Sequence, residues 1–90
     1  MRLDQSFSIS PNVVAKAVGN ETVILALESG QYFGLDEIGA HIWRLLSDGK
    51  TLGEIHDLML VEYEVAEETL RDDVRALVQD LISHNLIAGR

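Results

Sequence analysis

At Asp36 the apolar pattern changes period, and no other feature of the 90 residues constrains the fold as much. Before it, "NVVAKAVGNETVILALESGQYFGL" holds three runs rich in β-branched, apolar and aromatic residues, at 12–18, 22–28 and 31–35. Gly19-Asn20 and Ser29-Gly30 separate them as hairpin signals. Two short turns in succession predict an antiparallel meander with the first and third runs at its edges. The middle run, "TVILALE", is almost continuously apolar and suits the central strand.

After Asp36 the spacing is helical. Asp36 stands at the N-cap of a first helix in which Ile38, Ile42, Leu45 and Leu46 share a face, with Trp43 beside it, and Gly49 ends that helix. "TLGE" at 51–54 is a capping box, with the Thr51 side chain on the Glu54 amide and the Glu54 side chain reaching back. It opens a second helix through Ile55, Leu58, Met59 and Tyr63. A third, the longest, carries Leu70, Val74, Leu77 and Leu81 at i, i+4, i+7 and i+11, and Glu67 and Glu68 in its first turn suit the helix dipole. Val78 and Ile82 widen its apolar arc, while Asp73 and Asp80 line one flank and Arg71 and Arg75 the other.

A chain of this length builds one core, and the expectation is a single domain over 1–90 with its core at about 12–87 and an N-terminal arm at 1–11. Its 47% hydrophobic and 24% charged residues are ordinary for a globular protein. Without cysteine there is no disulfide framework or thiolate chemistry, and "MRLDQSFSIS" has no signal-peptide run, so the expected location is cytoplasmic, with no membrane partner. The net charge of −8, with only 7 basic residues, opposes nucleic-acid binding, which needs clustered Lys and Arg.

Catalytic signals are missing as well. His41, His56 and His84 fall on three separate predicted helices without the i, i+4 pairing that a metal site uses, so neither a metal nor another cofactor is expected. Adjacent carboxylates such as Asp72-Asp73 point about 100° apart on a helix and form no general acid/base couple. Gly30, Gly34 and Gly39 match no phosphate-binding spacing. No catalytic residue is assigned, and the expectation is a binding domain rather than an enzyme.

Three strands followed by three helices is an α+β layout of winged helix-turn-helix type with the wing placed first. "ESGQYFGLDEIGAHIWRLL", then "TLGEIHDLMLVEYEV", then "EETLRDDVRALVQDLISHNLI" resembles the PqqD-like family, the peptide-recognition domains of pathways that make and modify ribosomal peptides. The similarity spans about residues 12–87 and rests on the spacing of the whole pattern. Within the family the chain most resembles the stand-alone leader-binding proteins of lasso-peptide clusters. One departure is Ala66, where relatives often carry an aspartate that caps the third helix.

The resemblance implies that a precursor's leader peptide lies as an added strand beside the third strand, in a groove shared with the third helix. Gln31, Tyr32, Phe33, Gly34 and Leu35 would form the strand side, and Leu70, Asp73, Val74 and Leu77 the helix side. It also implies a non-catalytic carrier that delivers the precursor to a separate maturation enzyme, a leader peptidase or another tailoring enzyme. Two alternatives are a PqqD-type chaperone that presents a precursor to a radical SAM enzyme and, further off, a winged-helix DNA-binding regulator, which the acidic third helix disfavours.

An open strand edge beside a short aromatic run fits β-augmentation, in which backbone bonds supply affinity and side-chain pockets specificity. Gly34 marks either a close approach of a ligand or a bulge. Tyr32 and Phe33 point to opposite faces, and alternation alone does not tell which one faces the core. Asp73 and Asp80, with Glu28 near the start of the third strand, would make one rim negative and favour a leader carrying Lys or Arg.

Overall fold

The computed structural model describes residues 2–90; Met1, the first residue of the expected 1–90 domain, lies outside the described residues. The predicted meander is present as β2 (Val13–Val18), β3 (Glu21–Ala26) and β4 (Tyr32–Leu35), once a preceding strand, β1 (Phe7–Ile9), is counted. Three helices follow, α1 (Glu37–Ser47), α2 (Leu52–Glu62) and α3 (Glu67–Ser83), and then β5 (Ile87–Gly89). The sheet order is β2-β3-β4, antiparallel throughout, so β2 and β4 are its two edges.

Both turns of the meander use glycine at positive φ. Gly19, at φ 62°, leads the two-residue β2–β3 turn as a primed hairpin requires. The β3–β4 connection is longer than predicted. The Gly30 amide donates to the Ala26 carbonyl at 2.8 Å, Gly30 itself sits at φ 72°, and the strand stops at Ala26 rather than Glu28.

The helices begin and end as their terminal residues dictate. The Gly39 amide donates to Asp36 Oδ1 at 2.8 Å, and the Thr51–Glu54 capping box has both of its bonds, at 2.9 and 3.2 Å. Those bonds hold the Glu54 carboxyl below the usual carboxylate range, the Thr51 amide first and its hydroxyl second. Ala66 occupies the α3 N-cap and makes no side-chain bond there. α1 and α3 close identically: Gly49 (φ 82°) and Asn85 (φ 58°) take the left-handed position, with paired amide bonds back to Leu46 and Leu45, and to Ile82 and Leu81.

The predicted arm is woven into the body. β1 pairs antiparallel with β5, joining Phe7 to Gly89 and Ile9 to Ile87, and Phe7 is wholly buried. The carbonyls of Gln5 and Leu3 accept the Leu52 and Gly53 amides at 2.9 and 2.8 Å, which satisfies orphan donors in the first turn of α2. A side chain at Gly53 would meet the Leu3 carbonyl oxygen at 3.1 Å, so glycine permits that contact. The core gathers Phe7, Ile24, Ile42, Leu46, Ile55, Met59, Val78 and Leu86 from every layer. Trp43, expected beside the α1 face, is in the core, whereas Ile38 and Leu58 are exposed.

Candidate functional site

The edge of β4 follows from the hydrogen-bond alternation. The Ala26 amide donates to the Gln31 carbonyl at 2.9 Å, so in an antiparallel ladder Gln31, Phe33 and Leu35 bond inward to β3. Tyr32 and Gly34 therefore turn their N–H and C=O groups outward, where no backbone partner meets them among the described residues. Gln31, expected as the first residue of the strand, lies in the turn, with its amide donating to Ser29 Oγ at 3.2 Å.

Side-chain alternation settles the orientation of the two aromatics. Phe33 and Leu35 face the core, and the Phe33 ring stands edge-on to His84 with centroids 4.9 Å apart. Tyr32 faces outward and is 68% exposed. The pairing of Val23 with Gly34 is continuous with its neighbours, so there is no bulge at Gly34. A side chain there would meet nothing within 4 Å. The fold of the free domain thus makes no demand for glycine at this position.

Beside this edge runs a groove of about 410 Å³, walled by Gly34 and Leu35 on β4 and by Asp73 and Leu77 on α3. Ile42 and Gly39 of α1, and Asp36 at its N-cap, complete the lining. Leu77 is partly buried and Asp73 exposed. Leu70 and Val74, expected on the groove wall, are only 3% and 2% exposed and belong to the core; Val74 turns toward Leu52 and His56 on the far side of α3. The apolar arc is wide, and the neighbours of α3 divide it: Leu70, Val74, Val78 and Leu81 go inward, and Leu77 goes to the groove.

Ile42, Gly39 and Asp36 complete the groove, and none of the three is among the residues expected there from the sequence. A glycine in the first turn of a helix was the available signal. A side chain at Gly39 would stand 3.3 Å from both the Leu35 Cβ and Asp36 Oδ1, so glycine lets α1 start tight against β4.

Among the described residues the groove lining includes two carboxylates, Asp36 and Asp73, and no basic group. Asp80 lies farther along α3, where its carbonyl accepts the His84 Nδ1–H at 2.9 Å and its Oδ1 is 3.5 Å from the same nitrogen. Glu28 is turned to the β2 side of the sheet, accepting from Asn12 Nδ2 at 3.0 Å. The negative rim is therefore Asp36 and Asp73 rather than Asp73, Asp80 and Glu28. Among the described residues no three His, Asp or Glu side chains gather as a metal site, and no helix is long and apolar enough to cross a membrane.

This geometry defines a winged helix-turn-helix-like α+β domain whose last meander strand lies open beside its last helix. The chain belongs to the family described as coenzyme PQQ synthesis protein D, whose sequence model matches residues 21–87. Two solved structures are similar to it. TbiB1 in complex with the TbiA(beta) leader peptide is 40% identical, over 89% of this chain and 93% of that one, with a TM-score of 0.84. A lasso peptide synthetase B1 complexed with the leader peptide is 26% identical, over 92% and 98%, also with a TM-score of 0.84. No curated protein matches the chain.

Proposed function

We propose that this domain binds the leader region of a ribosomally made precursor peptide as a strand added to β4, and hands the precursor to a separate maturation enzyme, the leader peptidase of a lasso-peptide pathway. The observation that carries the reading is the coincidence of two strand residues with outward-facing backbone groups, Tyr32 and Gly34, and a groove lined by Leu35, Ile42 and Leu77. Both similar structures being leader-peptide complexes supports it.

The physical chemistry sets what the leader must supply. Two donors and two acceptors on Tyr32 and Gly34, at about 0.5–1.5 kcal/mol net each, do not offset the cost of ordering and immobilising a flexible peptide. Apolar leader side chains must enter the groove, each contributing about 1.5–3 kcal/mol when buried. Open space above Gly34 lets the leader backbone come close. The domain acts as a carrier, and the chemistry belongs to the enzyme that receives the precursor.

A second reading is a chaperone that would present a precursor to a radical SAM enzyme over the same edge; the match to the family described as coenzyme PQQ synthesis protein D is in keeping with it. A DNA-binding role is disfavoured: α3 carries Glu67, Glu68, Asp72, Asp73 and Asp80, and Arg71 is tied to Glu67 at 3.1 Å.

Calorimetric titration with the leader half and, separately, the core half of the cognate precursor tests the proposal. The leader is expected to bind with a Kd below about 1 μM, or roughly −8 kcal/mol, and to slow amide exchange at Tyr32 and Gly34. Binding of the core half alone, or leader binding without protection of those two amides, would overturn it.

A further inference from the structure

The meander has a second open edge, and it is the longer one. The Leu27 amide donates to the Asn12 carbonyl at 2.9 Å, so Val14, Lys16 and Val18 bond inward to β3. Val13, Ala15 and Ala17 consequently point their N–H and C=O groups outward, with no backbone partner among the described residues. An unprotected edge of this length is a liability unless something covers it.

A cleft of about 430 Å³ lies beside that edge, between β2 and α1. The small side chains of Ala15, Ala17 and Ala40 line it with Trp43, and the His41 Nδ1 and Tyr63 hydroxyl meet at 3.3 Å in one wall. Small residues along the strand leave room for side chains of an incoming strand. Four carboxylates, on Glu21, Glu37, Asp48 and Glu62, surround the cleft against two basic groups, Lys16 and Arg44. None of the six is in an ion pair within 4 Å among the described residues.

We propose that the β2 edge and its cleft form a second docking site, which takes an extended, net basic segment of the enzyme that processes the bound precursor. The identity of that enzyme rests on the proposed carrier function; the site itself does not. Charge selects this occupant. A second copy of the chain would bring another net charge of −8 and the same acidic rim to the contact, whereas a basic strand neutralises the excess carboxylates. Because β2 and β4 are opposite edges of one sheet, leader and enzyme dock together without competing for backbone groups.

The test uses the full chain, the cognate leader peptide and the leader peptidase that cleaves the same precursor. Ala15→Pro deletes an outward donor while leaving every β2–β3 bond in place, so the variant should melt near the wild type. Its peptidase affinity is expected to fall roughly tenfold or more, with leader affinity unchanged within about twofold. Ala17→Arg leaves the backbone untouched, fills the cleft and opposes a basic strand, and it is expected to give the same split even if the proline variant folds poorly. Peptidase should also slow amide exchange at Val13, Ala15 and Ala17. Undiminished peptidase binding by folded Ala17→Arg, or protection of those three amides by leader alone, would overturn the proposal. Failure of the leader to bind at all would sink the carrier function instead, and the peptidase titration without leader would still read the β2 site.

Discussion

The two edges of one sheet differ in what lies beside them. β4 is four residues long with two, Tyr32 and Gly34, turned outward, is flanked by α3, and opens onto a groove lined by Leu35, Ile42 and Leu77. β2 is six residues long with three, Val13, Ala15 and Ala17, turned outward, is flanked by α1, and opens onto a cleft lined by alanines and charged groups. Backbone geometry is equivalent at both. The neighbouring helix sets the chemistry of each edge, so the ligand proposed for β4 would rely on apolar anchors and the one proposed for β2 on charge and strand pairing.

The largest expected effect contrasts two prolines one residue apart. Gly34→Pro removes an outward donor, so leader binding should be lost while the circular dichroism spectrum and melting temperature stay close to wild type. Phe33→Pro removes a donor that bonds to β3 and should unfold the sheet. Wild-type leader affinity in folded Gly34→Pro would show that β4 is not the docking line.

Next comes a contrast along α3. Leu70→Ala cuts into the core and is expected to cost about 2–5 kcal/mol of stability, read by denaturant unfolding. Leu77→Ala, on the groove wall, should cost less stability but weaken the leader by about 1.5–3 kcal/mol, independently of salt. If the two variants lose stability equally with unchanged leader affinity, Leu77 is a core residue and the groove assignment is wrong.

A smaller effect concerns the rim. Asp73→Asn should weaken a leader carrying Lys or Arg by about 0.2–1 kcal/mol, chiefly through a slower association rate, and the loss should shrink as salt rises. Equal losses at low and high salt, or a lowered melting temperature, would assign Asp73 a structural role.

The smallest lies away from both edges. Glu54 has a depressed pKa in the folded state, so its contribution is complete above the ordinary carboxylate range and is lost as pH falls through the lowered value. In acid titrations of stability, Glu54→Gln should flatten the dependence in that window and leave leader binding at neutral pH unchanged. A dependence identical to wild type would remove the capping box from the acid response.

Local chemistry was legible in the chain. Asp36, the Thr51–Glu54 box and Gly49 act through atoms within a few residues of themselves, so their roles survive without knowledge of the rest of the fold. The meander and the open position of its third strand were legible for the same reason, since turn residues and alternation are short-range. The strands β1 and β5 were not: each has three residues, they lie at opposite ends of the sequence, and three residues carry too little periodicity to announce a pairing.

What sequence alone determined, then, is the order of the three meander strands and three helices, the caps of the first two helices, and the apolar arc of the third. Only tertiary packing decided which apolar residues close the core and which line a groove. Periodicity places Leu70, Val74 and Leu77 on one arc of α3, but an arc is an angle without a neighbour; the positions of β4 and α1 bury the first two and leave Leu77 at the groove. The same holds for Phe33 and Tyr32: strand alternation sends them to opposite faces, and the ring of His84, at the end of α3, meets Phe33 on the inner one.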